Sequence, residues 1–157
     1  MSTQRPYLFL IKITLFALIL SEIPMNEILL DISPFWLLLF YTYWVVYFSA
    51  KGKFFIALIL GILLDILHGD VLGQNALALI LVSAFIDNVK QSFFVSNLST
   101  QQVYVFIAGG IYLFFFLLTH LLISNFDNMN YYLLATPFTS ALLWPVVRIS
   151  LSKCKHQ

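Results

Sequence analysis

Three ionisable side chains crowd one short segment, Asp65-Ile66-Leu67-His68-Gly69-Asp70. Two carboxylates around an imidazole can in principle hold a divalent ion or relay a proton. The spacing Asp65-x-x-His68-x-Asp70 matches no specific ligand motif, and Asp70 belongs to a tight loop, so loop chemistry is the competing reading. Other reactive groups stand apart. His120 is alone in an apolar run, where hydrogen-bonded packing is commoner than ligation, and Asp87, Asn88 and Lys90 close a helix at a solvated end. The single cysteine, Cys154, lies in a polar tail, as an incidental thiol or a palmitoylation point. The chain has no Gly-x-Ser-x-Gly, no His-Glu-x-x-His, no phosphate loop and no Cys-x-x-Cys. Arg5 and Arg148 are its only arginines, which leaves little for phosphate or headgroup transfer. The expectation is a non-enzyme with no catalytic residue, no metal and no cofactor.

The elements that position these groups belong in a bilayer. Of 157 residues, 61% are hydrophobic and 10% charged, against about 45–50% and about 25% in a soluble domain. That balance excludes a soluble enzyme, a nucleic-acid binder and a disordered tail, and a net charge of +1 offers nothing to a polyanion. Apolar blocks run approximately over 7–21, 32–48, 54–67, 74–89, 103–123 and 133–151. Six spans of roughly 20 residues consume about 120, leaving short loops and one transmembrane domain over the whole chain, 1–157. The first block, interrupted by Lys12 and lacking a small-x-small cleavage site, reads as a retained span. The fifth block alone is long and clean. The third and fourth are short and closely joined, either as a spanning hairpin or as a re-entrant pair.

Charge favours six spans. With both termini cytoplasmic, the inner segments hold Arg5, Lys51, Lys53, Lys90, Lys153 and Lys155, while the outer ones hold Glu22, Glu27, Asp31, Asp70 and Asp127 without a cation. This is the bias that orients membrane proteins. Lys12 and Arg148 lie near inner ends, where long side chains snorkel to the interface. A re-entrant pair would strand Asp70 in lipid.

An ionisable residue inside a span suggests function. Ala57, Gly61 and Asp65 recur at i, i+4 on the third block, so two small residues and a carboxylate share a face. Such a face lets a helix approach closely and offers it a hydrogen bond. It either docks a partner's helix or locks the hairpin from within. Gly69 and Gly73 read as turn residues and Asn75 as the N-cap of the fourth helix. Gly109-Gly110 suggests a second close contact. Pro137 and Pro145 should kink the sixth block, whose Thr136, Ser140, Trp144 and Arg148 share a face turned towards other helices. Trp36, Phe40, Tyr43 and Tyr47, with Tyr41 and Trp44, line the second block for packing, anchoring or ligand stacking. The candidate docking set is Ala57, Gly61, Asp65, Gly69, Gly73, Trp144 and Pro145.

Two stretches carry a family resemblance. Pro34-Phe35-Trp36-Leu37-Leu38-Leu39-Phe40-Tyr41-Thr42-Tyr43-Trp44, and then Gly61-Ile62-Leu63-Leu64-Asp65-Ile66-Leu67-His68-Gly69-Asp70-Val71-Leu72-Gly73-Gln74-Asn75, are similar to the rod shape-determining protein MreD family. Leu143-Trp144-Pro145 looks like that family's last span, whereas the tail here is short. The resemblance implies a non-enzymatic scaffold in the bacterial inner membrane, multi-pass, binding MreC and through it MreB, RodA and the elongation-specific penicillin-binding transpeptidase. It also implies an all-α six-helix transmembrane bundle with short loops, resembling substrate-binding subunits of energy-coupling-factor transporters. A small-molecule-binding subunit of such a transporter is the alternative function. Self-association is compatible with either.

Overall fold

The computed structural model describes residues 6–21, 33–48, 52–69, 71–123 and 131–155. Arg5, Glu22, Glu27, Asp31, Lys51, Asp70 and Asp127 lie outside these. Among the described residues there are six α-helices, one 3-10 turn and no strand. They are α1 (Pro6–Ser21), α2 (Trp36–Tyr47), α3 (Lys53–His68), α4 (Gln74–Val95), α5 (Leu98–Ile123), the 3-10 turn Tyr131–Ala135 and α6 (Thr136–Lys155).

The helices follow from long apolar runs closed by residues that cannot continue them. Pro6 opens α1, where its missing N–H costs nothing and its fixed φ already suits a helix. Gly52, Gly69 and Gly73, all at positive φ, bracket the α3–α4 hairpin. Successive helices from α3 to α6 pack as neighbours, α1 lies against α2, and α2 crosses onto α4 and α6.

The core sits around α2. Every residue from Leu37 to Val46 is buried, so this helix is enclosed on all sides, as an apolar helix must be at the centre of a bundle. Its aromatic side chains therefore pack. Tyr43 stacks on Tyr47 with centroids 4.5 Å apart, and Phe40 meets the edge of Phe16 at 5.8 Å. The outward surface is apolar as well: Leu8, Ile11, Leu15, Phe16 and Ile19 are exposed on α1, and Phe138, Leu142, Val146 and Ile149 on α6. An exposed surface this apolar suits lipid rather than water. Lys12 is exposed on the same outward face of α1.

Three stretches, Gln74–Val95, Leu98–Thr119 and Leu133–Ser152, are long and apolar enough to cross a bilayer. The fold is an all-helical one of membrane type. Three boundaries depart from the sequence reading. Helix α2 starts at Trp36 rather than near Ile32, with Ser33, Pro34 and Phe35 outside it. Helix α4 continues to Val95, six residues past its expected end at Val89, with Asp87 inside it paired to Lys53. Pro137 enters α6 in its first turn, where it interrupts nothing, so Pro145 is the proline inside the helix.

Close approach is concentrated at two glycines. A Cβ on Gly61 would lie 2.1 Å from the Ala76 Cα and 2.4 Å from its nitrogen, so α3 and α4 touch backbone to backbone. At Gly109 the neighbour is Pro137 of α6, with its Cα at 3.2 Å, whereas Gly110 faces open space. The doublet thus provides one close contact. Gly61→Ala is expected to destabilise the fold by about 3 kcal/mol, the upper end of overpacking costs, because rigid backbone stands in the way. Gly110→Ala should be neutral or slightly stabilising, since alanine is the better helix former. Thermal unfolding of the two variants in detergent, followed by circular dichroism, checks the contrast.

Candidate functional site

The chemistry of the α3–α4 hairpin begins with Asp65. One turn before the end of α3, it is fully buried on the row that also carries Ala57 and Gly61. Its Oδ2 accepts the backbone N–H of Gly73 at 2.7 Å and its Oδ1 that of Asn75 at 3.0 Å. Its backbone carbonyl accepts the N–H of Gly69, which closes α3 in the left-handed conformation. One residue therefore ends one helix and begins the next. A helix start leaves backbone N–H groups without partners and carries partial positive charge, and a carboxylate satisfies both demands.

This corrects the expected cap. Gly73 occupies the N-cap position and supplies no side chain, while Asn75, inside the helix, turns its side chain elsewhere. Asn75 Oδ1 accepts the Tyr112 hydroxyl of α5. Gln74 Nε2 donates to the Phe116 carbonyl of α5 at 3.0 Å. The Tyr112 ring lies 4.5 Å from that of Phe35, whose N–H donates to Ser140 Oγ of α6 at 3.0 Å. A chain of contacts thus runs from the hairpin across the bundle to the start of α2.

The row Ala57–Gly61–Asp65 is filled from inside the molecule. Ala76 occupies the space beside Gly61, and α4 backbone takes the carboxylate. Of the two uses the sequence leaves open for this row, the contacts present are those within the hairpin. Gly69 and Gly73 are the turn residues the sequence suggests. His68 is exposed at the end of α3, and Asp70 lies outside the described residues. Among the described residues no group of three His, Cys, Asp or Glu side chains is placed to hold a metal ion.

At the other end of α4 a residue that sequence reasoning missed does the corresponding work. Gln101 of α5 is fully buried, and its Nε2 donates to the carbonyls of Phe93 and Ser96 at 3.0 and 3.1 Å. Its Oε1 accepts the Trp144 indole N–H of α6 at 3.1 Å, and Trp144 meets the Phe93 ring edge-on at 5.4 Å. A glutamine in an ordinary helical first turn has no distinctive sequence signal. The inward face of α6 is as expected, with Thr136, Ser140 and Trp144 buried and Arg148 part-buried, while Pro145 is half-buried beside them. Midway between these two ends, Tyr41 donates to the Lys53 carbonyl at 2.8 Å and shares a hydrogen bond of 2.9 Å with Ser83 Oγ.

A cavity of about 180 Å³ opens between the start of α2, the end of α3, α5 and the start of α6, with Trp36, Leu64, His68, Tyr112 and Thr136 among its lining. It is mainly apolar.

Comparison with known proteins decides the identity. The family of rod shape-determining protein MreD matches over residues 1–154. The chain belongs to the MreD family. Membership implies a role in the determination of rod shape, within a family of structural rather than enzymatic proteins. No curated protein and no solved structure matches the chain. The match covers both capped ends of α4, so the Asp65 and Gln101 ties lie within the MreD region.

Asp65→Ala removes a charged acceptor from two buried N–H groups and is expected to cost about 3 kcal/mol, with Asp65→Asn roughly half as damaging because one acceptor remains. Amide exchange at Gly73 and Asn75 should speed up in step with the loss of thermal stability. Trp144→Phe keeps an aromatic ring but loses the indole N–H that Gln101 accepts and leaves a cavity at a fully buried site, so it should cost about 3 kcal/mol by the same measurement.

Proposed function

We propose that this MreD-family chain is a non-enzymatic scaffold of the bacterial inner membrane, multi-pass with both termini cytoplasmic. It binds MreC and so connects MreB with RodA and the elongation-specific penicillin-binding transpeptidase. The family match over residues 1–154 carries this reading. The geometry supports it, because the buried polar groups Asp65, Asn75, Gln101 and Ser140 are engaged in joining helices. The positive-inside pattern of the loops supports the orientation.

Two faces suggest themselves for a partner's helix, the small-residue row of α3 and the proline-containing sixth helix. Since α4 fills the first, the docking face proposed is the outward stripe of α6: Phe138, Leu142, Val146 and Ile149, all more than half exposed. Trp144 and Pro145 serve this face from behind, with Trp144 anchored to Gln101 so that α6 holds a fixed position. A single transmembrane helix would pack its side chains against this stripe by van der Waals contact.

The test is co-purification of MreC with the tagged chain after gentle extraction. Phe138→Ala with Leu142→Ala should lower MreC recovery several-fold without moving the unfolding temperature, and cells relying on that variant should lose their rod shape. Leu58→Ala with Ile59→Ala on α3 should leave recovery unchanged. Equal recovery from both double variants would remove α6 as the docking face.

The cavity beneath Trp36 and Tyr112 favours a second reading, a subunit that binds a small molecule as in energy-coupling-factor transporters. That reading requires a vitamin-like ligand to bind the purified chain and an ATPase pair to co-purify in place of MreC.

A further inference from the structure

The polar boundaries of the helices give the bundle an uneven apolar height. Helix α3 is 16 residues long and begins at Lys53, whose ammonium pairs with Asp87 of α4. The pair is open to solvent, with the two side chains 22% and 41% exposed. Asn88, Lys90, Gln91 and Ser92 continue the polar surface beyond it. At its other end α3 stops at His68 and Gly69, both exposed. Between these limits its outward side chains are Phe54, Phe55, Leu58, Ile59, Leu63, Ile66 and Leu67, while Asp65 is turned inward.

From Phe54 to Leu67 that apolar face rises about 20 Å. On α4 the exposed polar band of Asp87, Asn88, Gln91 and Ser92 begins about 20 Å from the helix start at Gln74, and the exposed Phe94 and Val95 lie beyond that band. Leu98 is exposed at the start of α5, followed by the polar Ser99, Thr100 and Gln102. Past these the exposed apolar residues run without a polar break in the outward face from Val103 to Leu118 and on to Leu122, a rise of about 29 Å. The hydrocarbon core of a bilayer is about 30 Å thick. Helix α5 matches it, and the hairpin falls short by about 10 Å. Tilting α3 would only shorten its reach. Sinking the hairpin would bury either the Lys53–Asp87 pair or the polar His68 end, and ionisable and polar groups in hydrocarbon are expensive.

We propose that the α3–α4 hairpin is a thin edge of the protein, where phospholipid acyl chains are compressed to about 20 Å of hydrocarbon thickness, while α5 meets a bilayer of ordinary thickness. The inference rests on the chain being a membrane bundle. The partner at this edge is lipid. Its recognition comes from two polar levels fixed on two helices, which the hairpin holds rigidly because α3 and α4 touch at Gly61 and Ala76.

The experiment uses the full chain with Cys154→Ser, reconstituted in dioleoyl phosphatidylcholine vesicles, with a nitroxide label placed singly through Phe54→Cys, Ile59→Cys or Leu67→Cys on α3. Val103→Cys, Phe114→Cys and Leu122→Cys provide the same series on α5. Relative collision with oxygen and with a water-soluble nickel chelate reports the depth of each label. The expected result places Phe54 and Leu67 both at the interface, and mid-helix Ile59 about 5 Å shallower than Phe114, half the difference in apolar height. A label at Phe54 or Leu67 as deep in hydrocarbon as Phe114 overturns the proposal. So does spin–spin broadening at Ile59, which would mean that a second copy covers the edge instead of lipid. If the α5 labels themselves collide freely with the nickel chelate along their length, the membrane reading fails, and the thin edge fails with it.

Discussion

The fold depends on one buried carboxylate held between two helices. Asp65 carries a carboxyl group into the interior and meets it with the N–H groups at the start of α4, two hydrogen bonds that no residue within the turn supplies. Once those bonds are made, the hairpin loop is set and Gly61 is pressed against Ala76. Asn75 is then free to reach Tyr112 instead of capping its own helix. A buried charge is tolerable only when hydrogen bonds compensate its lost hydration, and here the compensation also determines where α4 starts.

Around that tie the bundle is organised as an enclosed centre with an apolar exterior. Helix α2 is buried on every side and brings its aromatic rings to those of α1 and α4. The polar contacts that orient the other helices lie at the two ends of the bundle, at Asn75 and Tyr112 on one side and at Gln101 and Trp144 on the other. The outward surface is therefore one of leucine, isoleucine, valine and phenylalanine, suited to close packing rather than hydrogen bonding. A scaffold suits this division, with polar groups bracing the interior and the outside left for association.

The helices were legible because apolar runs closed by glycine, proline and charge leave little choice. Membership of the MreD family could be read from the stretch around Gly61, Asp65, Gly69 and Gly73. The direction in which Asp65 points could not be read, because small-x-x-x-small spacing marks a close contact without saying whether the second helix belongs to the same chain. Helix α4 outran its expected end because charged residues at a bilayer edge do not stop a helix, and the partner of Asp87, Lys53 on another helix, is invisible to local reading. Gln101 went unnoticed for a related reason. Its partners are two carbonyls on the far side of the α4–α5 turn and an indole 43 residues away, brought together only by folding. The glycine doublet shows the limit at its finest. Gly109 and Gly110 are indistinguishable as letters, yet only Gly109 faces Pro137.

Helix α4 takes its start from a side chain of α3 and its end from a side chain of α5. During synthesis at the membrane, α3 and its aspartate emerge first, so the start of α4 can be capped as soon as the hairpin turns. The far end waits for Gln101, which follows Val95 by under two helical turns. Its last hydrogen bond waits longer still, until Trp144 arrives with α6. Insertion of this bundle thus carries its own sequence of completion, in which the middle helix is finished from outside and the final helix closes an end left open since the fifth began.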